Sequence, residues 1–311
     1  MSKVLVSEEN LTNIANAIRE KNGETTTYKP GDMATAIQNI SSGGGGDPEL
    51  EASFMSSIDS TLGANVTKLP SGITSIGRYA FYKCTNLALT ELPSGITSIG
   101  DSAFYGCTNL ALTELPSGIT IIDDDAFDNC TNLALTELPS GITSIGSYAF
   151  QTCSNLALTK LPSGLTKIRG STFNYCKKLA LTELPSGITI IDSSAFKNCS
   201  SLALTELPSG ITAINSQAFY NCISLSQITI NSNTLSLASN SFGNCTNLKK
   251  IILPNIVTIP SLSSSTFSGT PIASGTGYIY VPDTLVDSFK SATNWSTYAD
   301  QIKPISELEV A

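Results

Sequence analysis

The sequence predicts a solenoid of stacked 23-residue units, an α+β repeat fold, on three observations. All eight cysteines, Cys84, Cys107, Cys130, Cys153, Cys176, Cys199, Cys222 and Cys245, stand 23 residues apart. Three residues before each lies a phenylalanine, from Phe81 to Phe242. The tetrapeptide LPSG returns on the same period, with prolines at Pro70, Pro93, Pro116, Pro139, Pro162, Pro185 and Pro208. A unit this short cannot bury its own apolar side, so units stack and each rung sets a side chain above its equivalent in the neighbour.

In chain order, residues 1–42 read as a helical hairpin. Leu11, Ile14 and Ile18 share one face between an N-capping Ser7 and Gly23, and Met33, Ile37 and Ile40 form a second stripe after Pro30. So few large apolar groups make no self-sufficient core, so this module is expected to dock on another copy or another protein. Residues 43–48 are a Gly-rich linker, and residues 49–64 carry Leu50, Phe54, Met55 and Ile58 at helical spacing as a lid for the first rung. The solenoid itself is expected over 65–270, with a looser unit ending near Phe267. Residues 271–311 are expected to close it with a strand at 278–282 and a helix over 284–301 that offers Leu285, Phe289 and Trp295. Within a unit, Leu-Ala-Leu-Thr-Glu-Leu reads as one short strand and Ile-Thr-x-Ile as another. Pro-Ser-Gly is turn chemistry, in which Gly tolerates positive φ, and Ala-Phe-x-x-Cys is a helical turn or an irregular corner.

Composition narrows the chemistry. The chain of 311 residues has 17 basic and 25 acidic side chains, a net charge of −8, which opposes binding to phosphate backbones or anionic lipid. It has no histidine, which removes the usual general base and the commonest metal ligand. No secretory signal is expected in its first residues, and no apolar run reaches membrane-spanning length. Disulfides between stacked cysteines are disfavoured, because equivalent Cα atoms about 4.8 Å apart carry parallel Cβ vectors. Buried thiols filling a corner are the expectation, without cofactor, metal or catalytic residue. Asp123, Asp124, Asp125 and Asp128 form one dense acidic group whose spacing matches no calcium loop.

The stretch LPSGITSIGDSAFYGCTNL, residues 92–110, resembles the BspA-like leucine-rich-repeat family, whose units share I-x-x-x-A-F-x-x-C-x-x-L. The resemblance covers about residues 64–270 and implies a leucine-rich-repeat solenoid. It also implies a non-enzymatic adhesion protein of the bacterial cell surface or the secreted space, binding a surface protein or glycan. Residues 1–40, with the closing segment GYIYVPDTLVDSFKSATNWSTYADQIKPISEL, are similar to modules of phage and prophage tail-fibre proteins. That second resemblance implies a receptor-binding virion component, assembled or oligomerised through residues 1–42. A cell-surface or secreted adhesin is the alternative, and a spacer without ligand a further one.

Two candidate binding surfaces follow from comparing units. The positions around Ala-Phe-x-x-Cys vary while the strands stay nearly constant, and Tyr79, Tyr82, Tyr105, Tyr148, Tyr175 and Tyr220 fall there. Tyrosine gives rigid amphipathic contact area at low entropic cost. The second surface depends on register. Aligned on Ile228 and Ile230, the earlier units turn Thr90 and Leu92 inward, so that Leu89, Leu112 and Leu135 form an outward apolar stripe. The other register turns Leu87 and Leu89 inward and kinks the chain at Thr-Glu. The column Glu91, Glu114, Glu137, Glu183 and Glu206 is expected to face water in either case.

Overall fold

A computed structural model describes Leu69 and residues 73–308. The helical hairpin, the linker and the first lid expected over 1–64 lie outside the described residues. What is described is a parallel β-solenoid of nine rungs, each carrying one phenylalanine from Phe81 to Phe267.

One side of the rod is built from two-residue strands in the Ile-Thr-x-Ile segment. β1 (Ser75–Ile76), β2 (Ser98–Ile99), β3 (Ile121–Ile122) and β4 (Ser144–Ile145) form one parallel sheet in chain order, in register. A second sheet joins β5 (Lys167–Ile168), β6 (Ile190–Ile191), β8 (Ala213–Ile214), β10 (Ser236–Leu237) and β12 (Ser261–Leu262). In each of these strands the second residue is buried, so the last isoleucine or leucine of the segment is the inward one. Although the strand ladder is interrupted between rungs four and five, the corner bonds cross it, with Tyr148 N–H on Gly170 O at 3.0 Å and Phe150 N–H on Thr172 O at 2.9 Å.

The Leu-Ala-Leu-Thr-Glu-Leu side behaves differently in early and late units. Regular strands begin only at β7 (Glu206–Leu207) and continue through β9 (Gln227–Ile230), β11 (Lys250–Ile252), β13 (Tyr278–Val281) and β14 (Ile302–Pro304). In the earlier units Leu110, Leu112 and Leu115 are buried while Thr113 and Glu114, two adjacent residues, are both exposed. Two consecutive outward residues break the period of two that a strand requires, so the chain kinks there. Single bonds such as Ala157 N–H to Leu135 O, 3.0 Å, hold these rungs together.

The Pro-Ser-Gly turn closes by a bond from the residue after Gly to the proline carbonyl, as in Ile96 N–H to Pro93 O at 3.1 Å. Its glycine does not use positive φ, contrary to the sequence expectation. The space is what matters: a Cβ on Gly164 would stand 3.1 Å from the Ile142 carbonyl of the previous rung, and one on Gly187 3.2 Å from Leu165 O.

Positive φ falls instead on the Ala-Phe-x-x-Cys corner, which is a run of turns and no helix. Two left-handed residues recur per unit, two before the phenylalanine and one before the cysteine, as at Ser102 and Gly106 or Asp125 and Asn129. Alternation of backbone donors accounts for them. Ser102, Phe104 and Gly106 donate to the next rung at Asp124, Ala126 and Asp128, while Ala103, Tyr105 and Cys107 donate three residues back within their own rung. Every corner N–H in this rung is thus paired, as buried backbone must be.

Inside, the phenylalanine rings stack face to face at 5.2–6.1 Å with planes within 2–19°. Truncating one such buried ring costs about 3–5 kcal/mol. The cysteines are all free and buried. From Cys107 to Cys245 each thiol donates to the carbonyl of the phenylalanine 26 residues earlier, at 2.9–3.0 Å. That carbonyl already accepts a backbone bond from its own turn, so the thiol takes its second lone pair. In the ninth rung Thr270 stands where a cysteine would, buried, with Oγ1 on Phe267 O at 2.6 Å.

The far end of the ladder is covered by a short 3-10 turn (Asp283–Leu285), α1 (Val286–Ser291) and a second 3-10 turn (Trp295–Tyr298) rather than one helix. The break comes at Ala292, which is extended, and Asn294, which is left-handed. It lets Trp295 Nε1 reach Pro260 O at 2.7 Å and Asn294 Nδ2 reach Leu262 O at 2.7 Å. Trp295 and Tyr298 then pack on Phe267, the last ring of the stack.

Candidate functional site

The leucine stripe is not a surface. Leu89, Leu112 and Leu135 are fully buried, as are Leu158 and Leu181. The pairing of Leu207 with Ile230 places the final leucine of the segment inward as the alignment required. The kink then lets the leucine before Thr turn inward too, while Thr205 and Glu206 go to water. Burying a leucine is worth roughly 1.5–3 kcal/mol, and an inward threonine would need a partner for its hydroxyl. The glutamate column is exposed throughout, and the pairing of Lys160 with Glu137 at 4.0 Å is between solvated side chains and worth little.

The variable positions gather on the turn-built corner. Three columns run along it: two before the phenylalanine (Tyr79 and Tyr148), one after it (Tyr82, Tyr105 and Tyr220) and two after it (Tyr175). The first and third columns are the left-handed positions. Tyr148 and Tyr175 are the most open, 43% and 45% exposed, and the other four tyrosines are partly exposed.

The middle column is a continuous polar file. Tyr82 and Tyr105 stack at 4.9 Å, with Tyr79 edge-on to Tyr82 at 5.4 Å. Arg78 lies 4.5 Å over Tyr79 and pairs with Asp101 at 3.1 Å, and Lys83 sits 5.2 Å over Tyr82. Asp128 follows, buried, its Oδ2 accepting from Gln151 Nε2 at 3.0 Å, and Gln151 Oε1 accepts from Asn174 Nδ2 at 3.0 Å. The buried Asn174 Oδ1 has no partner. Burial raises the Asp128 carboxyl to about 6 against the pull of its Gln151 bond, with the Asp125 charge adding to the rise. Burial and the Asp128 charge together push the Tyr105 phenol up. Lys197 closes the file, donating to Gln217 Oε1 at 2.8 Å and lying 5.3 Å from the Tyr220 ring.

Behind this corner the thiols are chemically quiet. Burial is the first cause that pushes Cys130, Cys176 and Cys222 well above the usual thiol range, and it takes Cys245 to about 12. A thiolate is therefore disfavoured along the ladder.

The family model described as BspA type leucine rich repeat region (6 copies) matches residues 59–180 and 178–292, three quarters of the chain. The chain belongs to the BspA type leucine-rich repeat family. No curated protein matches this BspA-type chain. Among solved structures it is similar to the T. pallidum leucine rich repeat protein TpLRR, at 29% identity over 58% of this chain and 76% of that one, TM-score 0.42. A leucine rich cell surface protein from Faecalibacterium prausnitzii A2-165 is 24% identical over 76% and 77% of the two chains, TM-score 0.38. The pneumococcal vaccine antigen PcpA is 18% identical over 75% and 69%, TM-score 0.38.

Sequence reasoning found the corner through its variability and missed what organises it. The paired left-handed positions carry Tyr, Lys, Ser, Asp, Gln and Thr, which announce no such backbone. The recurrence of Asn or Gly just before the cysteine, at Gly106, Asn129, Asn198, Asn221 and Asn244, was the available signal.

Proposed function

We propose that this BspA-type solenoid is a non-enzymatic recognition module of a bacterial cell surface that binds a surface protein or glycan along its turn-built corner. The observation that carries the reading is the division of labour within each unit. Strand and core positions repeat almost unchanged, while side chains that differ from rung to rung project from a regular backbone, with Tyr148 and Tyr175 the most open among them. Family membership supports adhesion, and the rod form supports contact along an edge. The tail-fibre reading rests mainly on residues 1–42, outside both the described residues and the family match, so the cell-surface reading is preferred.

Binding of the labelled full chain to intact bacterial and host cells tests this. Tyr148→Ala with Tyr175→Ala is expected to weaken binding at least tenfold, while Thr212→Ala, on the strand side and exposed, leaves it unchanged. Equal binding by all three proteins would leave the corner without a role in recognition.

A further inference from the structure

The strand side of the rod carries a charge pattern that the recognition reading does not use. Its columns are set by register: Ile121, Ser144 and Lys167 occupy equivalent positions on rungs three, four and five, and two residues on, Asp123, Gly146 and Arg169 do the same. Rung three thus presents Asp123 and Asp124 and rung five presents Lys167 and Arg169, all exposed, with the small Thr143, Ser144 and Gly146 between them. None of the four charged residues has an ion pair among the described residues. Asp124 Oδ1 accepts only the Ser147 N–H, at 2.7 Å.

We propose that this side is a self-pairing surface: two copies dock with their rods antiparallel about a two-fold axis along the rung-four strand. Such an operation keeps each column and exchanges rungs three and five. Asp123 of one copy then faces Arg169 of the other, and the reverse contact forms as well, which is what an isologous interface requires. Ile121, 40% exposed, meets the aliphatic stem of the other copy's Lys167. Asp124 faces Gly170, where there is room for the neighbouring Arg169 to reach both carboxylates. The remaining facing positions are small. Thr143 meets its own equivalent, and Thr120 meets Thr166, with the Thr120 and Thr143 hydroxyls already turned toward the carbonyl of the previous rung at 3.4 and 3.5 Å. On the next rungs out Asp101 is paired with Arg78, and Asp192, which accepts from Asn215 Nδ2 at 2.9 Å, faces Gly100. The Asp123 carboxyl is raised by burial first and then by the Asp124 and Asp101 charges, only partly offset by the distant Arg169 of its own chain, and a facing guanidinium relieves that like-charge crowding further.

Sedimentation velocity on the full chain, over a concentration series at low and high salt, tests the pairing. The wild type is expected to form a reversible dimer that high salt dissociates. Asp123→Lys with Asp124→Lys, and separately Lys167→Glu with Arg169→Glu, should each weaken dimerisation at least tenfold. An equimolar mixture of the two variants should dimerise again, because every facing pair is then of opposite sign. A wild type that stays monomeric, variants that dimerise as well as wild type, or a mixture that stays monomeric would each overturn the proposal. A dimer made through residues 1–42 instead gives the second of these results.

Discussion

At the scale of single residues, Asp128 is where this structure is most sensitive to pH. Its carboxyl is buried on a corner whose charged and titratable neighbours, Asp125 and Tyr105, offer no cation, and it sits at about 6 rather than the ordinary 3.8. Because the folded value is the higher one, the native state holds a proton that the unfolded chain has lost between these limits. Stability from this group is therefore full below about pH 4, falls as pH rises to about 6, and is level above that. A displacement of about two pH units corresponds to about 3 kcal/mol. Asp128→Asn keeps an acceptor for Gln151 and removes the titration. Asp123 and Asp125 are raised as well and titrate in both proteins, so urea midpoints at pH 4, 5, 6 and 7 should fall with pH more steeply in the wild type than in the variant, which should be the more stable protein at pH 7. Parallel profiles for the two proteins would mean that the carboxylate is hydrated in solution.

At the scale of the repeating element, much was legible and the rest was hidden for definable reasons. The 23-residue recurrence of Cys and Phe demanded a stack, and the stack placed both residue types in the core. The leucine orientation was ambiguous because Leu-x-Leu and Thr-x-Leu both have a period of two, and only the packed structure shows that Thr113 and Glu114 leave the alternation together. The corner geometry was hidden because mutual hydrogen bonding between rungs overrides the preference of individual residues for φ. That override has a cost where the residue is least suited. Thr152, at φ 58°, is β-branched, and a left-handed conformation costs an L-residue roughly 1–2 kcal/mol. Asn fills the same place at Asn129, Asn198, Asn221 and Asn244 with nearly the same φ. Thr152→Asn should therefore raise the thermal midpoint, by a stabilisation of about 1 kcal/mol, with the N–H of residue 152 still bonded to Asn174 O. A lowered midpoint would show that the threonine side chain contributes packing there that outweighs its strain.

At the scale of the molecule, the rod is a one-dimensional object whose rungs touch mainly their neighbours, so its length is a variable rather than a requirement. The phenylalanine stack and the thiol-to-carbonyl file each join one rung to the next, and the Pro-Ser-Gly turns, which close within a rung, recur on the same period. Stability is then approximately a sum of rung and interface contributions. Deleting residues 165–187 removes one whole unit and joins Gly164 to Ile188, the same Gly-Ile junction that occurs at Gly118 and Ile119. Phe150 would stack on Phe196, and Cys199 would donate to the Phe150 carbonyl. The shortened chain is expected to fold with an unchanged circular dichroism shape and cooperative unfolding, its length by small-angle scattering reduced by about 4.8 Å. Deleting 165–186 instead shifts every later side chain by one position relative to the rungs before it, which exchanges inward and outward faces in the strands and should prevent folding. If both deletions behaved alike, whether folded or not, stacking of equivalent side chains would not be what holds this rod together.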